Sequence, residues 1–122
     1  MQVPSFMLKK LYKKGSLRNG AEGLEFTLEN SLSTVSLTKL EKVTVDGHDF
    51  PADQVEVALG GEFKPASGFS QDEPITFARS ATMTCRIKGF QADASVSHAV
   101  VLEATARGMG LLKVEIGDLI NA

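Results

Sequence analysis

Tryptophan is absent, and tyrosine occurs once, at Tyr12. Sugar-binding faces need flat aromatic platforms on which the rings stack. A free-standing carbohydrate-binding module is therefore disfavoured. Cysteine also occurs once, at Cys85. No internal disulfide can form, which excludes a disulfide scaffold and fits a reducing compartment. The only histidines are His48 and His98. No His-x-His or Cys-x-x-Cys spacing exists, so a zinc site with three nitrogen or sulfur ligands would have to recruit both histidines and Cys85. No apolar run approaches the roughly 18–20 residues that span a bilayer. The short apolar patch Phe6-Met7-Leu8 precedes its lysines, the wrong order for a signal peptide. The expectation is a cytoplasmic protein without a membrane segment.

Catalytic motifs are equally scarce. No Gly-x-Ser-x-Gly elbow occurs. Gly108-Met109-Gly110 lacks the third glycine of a dinucleotide loop and lies between strand-like runs, not before a helix. Acidic residues number 15, too many for sequence to choose a working pair. Asp46, Asp49, Glu103 and Asp118 are only names among them. A Cys85–His98 pair on neighbouring strands would need both side chains on one accessible face. The alternation around Cys85 points it inward with Met83 and Ile87, as a buried thiol. Asp46, His48 and Asp49 cluster at a hairpin tip, where Asp and Gly are favoured for backbone reasons. No catalytic, cofactor-binding or metal-binding residue is assigned.

What is present is an ordinary folded composition. Apolar residues make up 43% and charged residues 23% of 122 residues, which argues for one globular domain, 1–122, and against disorder. Charge is uneven. Residues 1–18 hold Lys9, Lys10, Lys13, Lys14 and Arg18 and no acid, a balance of +5. The remaining 8 basic and 15 acidic residues give −7. A nucleic-acid-binding domain would be basic overall, with stacking aromatics beside the charge. The basic end reads instead as an edge strand guarded by lysines.

The dominant hydrophobic period is two. Leu24, Phe26 and Leu28 alternate with Glu25, Thr27 and Glu29, a half-buried strand. The pattern recurs at Val43–Val45 and at Val55, Val57 and Leu59. Further on it appears at Ala81–Ile87, His98–Ala104 and Leu112–Ile116. Asp46-Gly47 is a strong hairpin signal, and Gly108-Met109-Gly110 joins the last two runs as another. Gly60-Gly61 and Gly89 close strands. Pro4 suits the opening of a short helical turn through Leu8. The irregular stretch 63–77 reads as the crossover that a Greek key requires. The seven phenylalanines read mainly as core; Phe63, Phe69, Phe77 and Phe90 fall in or beside irregular segments, where they either tuck onto the sandwich or form an exposed cluster that would mark a protein interface. The expected fold is an all-β antiparallel sandwich of jelly-roll or Greek-key type with seven to eight strands.

Two resemblances add to this reading. The run Val43-Thr44-Val45-Asp46-Gly47, then Pro51 and the strand Gln54–Leu59, resembles the β subunit of bacterial C-glycoside deglycosidases. So do Gly23-Leu24-Glu25-Phe26 and the closing Leu111–Ile120 strand. That resemblance implies a jelly-roll-like accessory subunit. Its partner would be a TIM-barrel catalytic subunit that binds a divalent metal and cleaves a carbon–carbon bond between an oxidised sugar and an aromatic aglycone. None of that family's catalytic residues falls in this chain. The segment Val3-Pro4-Ser5-Phe6 to Gly15-Ser16-Leu17-Arg18-Asn19 is similar to short prokaryotic chains labelled hydroxymethylglutaryl-CoA reductase. No cofactor or catalytic motif of such an enzyme is present, and 122 residues are too few for one. The functional expectation is a non-catalytic accessory subunit with a protein partner. The alternative is a small self-associating β-sandwich that binds a soluble ligand. An enzyme using His48, His98 or Cys85 is the third reading.

Overall fold

The computed structural model describes residues 5–121. Pro4 lies outside them, but the helical turn expected beside it is present as α1, Ser5–Leu8. Beyond α1 and three 3-10 turns, the described elements are strands. The alternating runs form two antiparallel five-stranded sheets in a sandwich-like arrangement. The first sheet contains β1 (Arg18–Gly20), β2 (Gly23–Glu29), β5 (Val55–Ala58), β6 (Lys64–Pro65) and β8 (Thr82–Lys88). Its order is β1-β2-β8-β5-β6. The second contains β3 (Val35–Val45), β4 (His48–Pro51), β7 (Ile75–Phe77), β9 (Ser97–Ala106) and β10 (Gly110–Leu119). Its order is β10-β9-β3, and β4 and β7 both pair with β3.

Ten strands replace the seven to eight expected. The additional ones are short: β1 and β7 have three residues each and β6 only two. A period of two cannot declare itself over so few positions. A second correction concerns the basic end, which over its described residues 5–18 is not a lysine-guarded edge strand. Lys9 and Lys10 lie in a 3-10 turn, Lys13 and Lys14 in a loop, and only Arg18 enters a strand. A third is Leu59, which falls one residue beyond the end of β5 and is 38% exposed instead of facing inward.

The inward-facing residues of both sheets meet in one core. Leu24, Phe26, Leu28, Val55, Val57, Met83, Cys85 and Ile87 from the first sheet are buried. They face Val43, Val45, Val100, Leu102, Val114 and Ile116 from the second. Each large side chain so buried contributes about 1.5–3 kcal/mol of transfer free energy. Phe26, Phe50 and Phe77 are buried, and Phe69 and Phe90 pack against the core from their loops. Phe63 does not join them: its ring lies under the Arg86 guanidinium on the outer face of the first sheet. Strand β3 makes two register shifts against β9, between Leu37 and Lys39 and between Leu40 and Lys42. Such bulges bend a long strand and let Thr38 turn in, where its hydroxyl donates to the Thr105 carbonyl at 3.3 Å.

The turns obey the expected chemistry. Asp46 and Gly47 both have positive φ, 50° and 85°, as a two-residue hairpin matched to strand twist requires. Gly23 has a different reason to be glycine. Its φ is 150°, and a Cβ there would lie 2.0 Å from the Ile87 carbonyl oxygen of β8. The segment 63–77 does cross between sheets, leaving the first as β6 and entering the second as β7.

One side of the sandwich is closed by the segment 8–17. Leu8, Leu11 and Leu17 are buried. Tyr12 bridges to Leu28, and Lys13 N–H donates to the Thr27 carbonyl at 3.0 Å, extending the edge of β2. On the other flank, Asn121 N–H donates to the Leu17 carbonyl at 2.7 Å. The β2 edge of one sheet and the β10 edge of the other are thus stitched together. The crossover with β6 and β7 occupies the opposite side.

Candidate functional site

The residues with chemical capacity fall into four places. The first is the β3–β4 hairpin. His98, at the start of β9, is buried with 6% of its side chain exposed. Its Nε2 lies 2.6 Å from the Asp93 carbonyl oxygen, which can only accept, so Nε2 donates. Its Nδ1 lies 2.5 Å from Asp46 Oδ2. The His98 bond, aided by the Ala99 N–H at 2.9 Å, holds the Asp46 carboxyl below its usual value. An ionised carboxylate also accepts, so both ring nitrogens carry protons. The Asp46 bond first, and the Asp93 carbonyl second, raise the His98 pKa. His98 is therefore an imidazolium clamp that ties the 93–97 loop to the hairpin tip. It has no nitrogen left to act as a base.

The second place is the Cys85 thiol. Full burial pushes its pKa up to about 12, the reverse of a reactive cysteine's environment. The conceived Cys85–His98 pair does not exist: Cys85 is on β8 of the first sheet and His98 on β9 of the second. Asp46, His48 and Asp49 lie exposed on the hairpin, the solvated turn expected of them, and they do not converge on one point. Asp49 accepts from Thr44 Oγ1 at 2.8 Å and from Lys42 Nζ at 3.1 Å, while Asp46 turns toward His98. His48 packs edge-on against Phe50, 4.7 Å between ring centres. Among the described residues no group of three or more His, Cys, Asp or Glu side chains is placed to hold a metal ion.

The third place escaped sequence reasoning. Arg86 of β8 lies in register with Glu25 of β2 and Glu56 of β5. Its side chain is only 12% exposed. It donates through Nε and Nη2 to Glu56 Oε1 at 3.1 and 2.8 Å, pairs with Glu22 at 3.0 Å, and stacks on the Phe63 ring at 3.8 Å. The guanidinium is enclosed by carboxylates and neutralised, a structural rivet of the first sheet's outer face. A second missed contact is the latch between Tyr12 and Asp118. The Tyr12 hydroxyl donates to Asp118 Oδ2 at 2.6 Å, and Gly15 N–H donates to the same oxygen at 3.0 Å. These bonds hold the Asp118 carboxyl low, while burial and then the carboxylate raise the Tyr12 phenol. Glu103, the remaining carboxylate singled out from sequence, lies 3.8 Å from Lys42.

The fourth place is concave surface. Between the sheets, under α1, is an apolar cavity of about 60 Å³ lined by Leu8, Leu11, Leu28, Met83, Leu112 and Val114. Its polar neighbour Asn30 is already committed, donating to the Ser33 and Phe77 carbonyls and accepting from Leu32 N–H. The larger hollow is an open groove of about 910 Å³ on the crossover side. Val57, Leu59, Pro65, Phe69, Pro74 and Ile75 give it an apolar floor, and Glu62 and Glu73 flank it. A family model described as "Hydroxymethylglutaryl-CoA reductase, N-terminal domain" matches residues 7–121. The chain belongs to that family. No curated protein matches it.

The matched span of this reductase N-terminal-domain family holds all ten strands, the clamp, the latch and the groove. It fits the second resemblance read from the sequence, and no match carries the resemblance to the deglycosidase β subunits. The segment that suggested the family, Val3–Asn19, supplies the piece that closes the sandwich beside β10, apart from residues 3 and 4, which lie outside the described region. No helix of the described residues is long and apolar enough to cross a membrane.

Proposed function

We propose that this chain is a non-catalytic docking unit that supports a larger catalytic protein. The observation that carries the reading is the open apolar groove on the crossover side, with Leu59 exposed beside it. The groups able to do chemistry point the same way. The Cys85 thiol is buried, and both nitrogens of His98 are engaged in structure. The family name describes an N-terminal domain of a reductase, and it supports a reading in which the chemistry lies outside this chain. The groove's charged residues are Glu62 and Glu73 against the single cation Lys64, so a partner loop with an apolar centre and a net basic flank would complement it. The resemblance to deglycosidase β subunits suggests a second identity for the partner, a metal-dependent TIM barrel of about 250 residues.

The test is capture of partners by the intact chain from its own organism's lysate, run in parallel with Leu59→Asp. The reading expects a stoichiometric catalytic protein with the parent chain and its loss with the variant. A redox-cofactor-binding partner would mark the reductase version, and a metal-binding TIM barrel the deglycosidase version. Equal capture by both chains, or no partner for either, overturns it.

A further inference from the structure

Strand β10 ends its sheet, and its ten residues pair on one side only, with β9. Among the described residues, no backbone or side-chain group bonds to its other side between Gly110 and Gly117. α1 and the 3-10 turn that follows contact β10, and Leu8 and Leu11 lie against its inner face beside Leu112 and Val114. A long unpaired edge is normally guarded by brevity, proline or inward-pointing charge. β6 is guarded in this way, with two residues, one of them Pro65. β10 contains no proline, and its exposed outward face carries one charge of each sign, Lys113 and Glu115, instead of a row of lysines.

The outward face of β10 carries Leu111, Lys113, Glu115 and Gly117 in sequence, all exposed. In an antiparallel pair of β10 with a second copy of itself, centred on Val114, positions sum to a constant. Lys113 then stands opposite Glu115, and Glu115 opposite Lys113. Leu111, 49% exposed, stands opposite Gly117, where a Cβ would meet nothing within 4 Å. The gap left by the missing side chain receives the leucine. On the inner face Leu112 stands opposite Ile116 and Val114 opposite itself. No other centre gives the same match: moving it to Glu115 sets that carboxylate against its own copy. Lys113 and Glu115 form no ion pair among the described residues, so both are free for the cross-strand contact. We infer that β10 pairs with β10 of a second copy, in the register centred on Val114, joining two second sheets into one continuous sheet across a two-fold axis. This interface lies on the side opposite the crossover groove, so it does not compete with the docking proposed there.

Opposite charges directly across an antiparallel pair stabilise it and like charges destabilise it. The test is sedimentation equilibrium of the full chain over a range of concentrations, with Lys113→Glu, Glu115→Lys and the double exchange. Circular dichroism checks that each variant is folded. Each single reversal sets two like-charged pairs across the axis and should weaken dimerisation by about tenfold or more. The double exchange restores opposite charges and should recover the parent affinity. A parent chain that stays monomeric at millimolar concentration overturns the inference, as does a dimer indifferent to the single reversals. Neither outcome touches the groove, whose test is capture lost with Leu59→Asp.

Discussion

The imidazolium clamp makes stability depend on pH in a defined direction. His98 titrates higher in the folded chain than its ordinary value of 6.5. Its contribution is therefore full below 6.5 and is lost as pH rises through the folded value. Asp46 is held below its ordinary 3.8, so its share is full above 3.8 and is lost as pH falls through the depressed value. The clamp is strongest between those two ordinary values, 3.8 and 6.5. A hydrogen bond to a charged group contributes about 1.5–3 kcal/mol when shielded. Asp46 is 49% exposed, and solvent screening brings the expected net contribution to about 1 kcal/mol. The clean perturbation is Asp46→Asn. Asparagine tolerates the positive φ of 50° at this position and suits the turn before Gly47, so the backbone is spared while the charge is removed. Thermal melts at pH 6 and at pH 9 should show the variant less stable than the parent at pH 6, by about 1 kcal/mol or roughly 3–5 °C. The gap should shrink at pH 9. An NMR titration of the His98 ring should move to lower pH in the variant. If the deficit is the same at both pH values and the ring titration does not move, His98 is not a doubly donating imidazolium.

Gly23→Ala drives a Cβ into the Ile87 carbonyl at 2.0 Å, so it should destabilise by about 3 kcal/mol or more, read as a lower urea midpoint. Gly15→Ala, whose φ of +85° carries backbone strain but whose Cβ meets nothing within 4 Å, should cost less by the same measure, about 1 kcal/mol. The Cys85 thiol, buried with its pKa near 12, should resist a thiol reagent in the native chain at pH 8 and react fully in denaturant; rapid native labelling would contradict its placement. Tyr12→Phe removes the donor to Asp118 and the acceptor of the Leu17 N–H, which should lower stability by about 1–2 kcal/mol in thermal melts.

Much of the architecture was legible because burial repeats at every second residue. Leu24, Phe26 and Leu28, then Met83, Cys85 and Ile87, face inward as the alternation predicts. Asp46-Gly47 forms the hairpin its chemistry requires. Strands β1, β6 and β7 escaped because two or three residues carry no period. Over its described residues the basic end forms no strand before Arg18, because Leu11 and Leu17 are buried on a segment whose backbone pairs with the β2 edge only at Tyr12 and Lys13 and then crosses to the end of β10. The partners of His98, Arg86 and Tyr12 were invisible for a different reason. Asp46 and Asp118 lie 52 and 106 residues from the groups they hold, and strand order, not local pattern, brings them together. Glu25, Arg86 and Glu56 were legible as outward residues, but their common row appears only once β2, β8 and β5 are known to be neighbours.

The closing of one side by residues 8–17 bears on how the protein is born. Those residues leave the ribosome about a hundred residues before β10 does, yet Tyr12, Gly15 and Leu17 find their partners at Asp118 and Asn121. Until β10 has cleared the exit tunnel, Leu8, Leu11 and Leu17 lack the neighbours that β10 and the residues after it supply. The nascent chain must carry an unsealed apolar seam while the strands between this segment and β10 are made, and contacts this distant in sequence are slow to form. A chaperone that binds short apolar segments near the tunnel mouth would find its target there, and would be displaced by the arrival of β10.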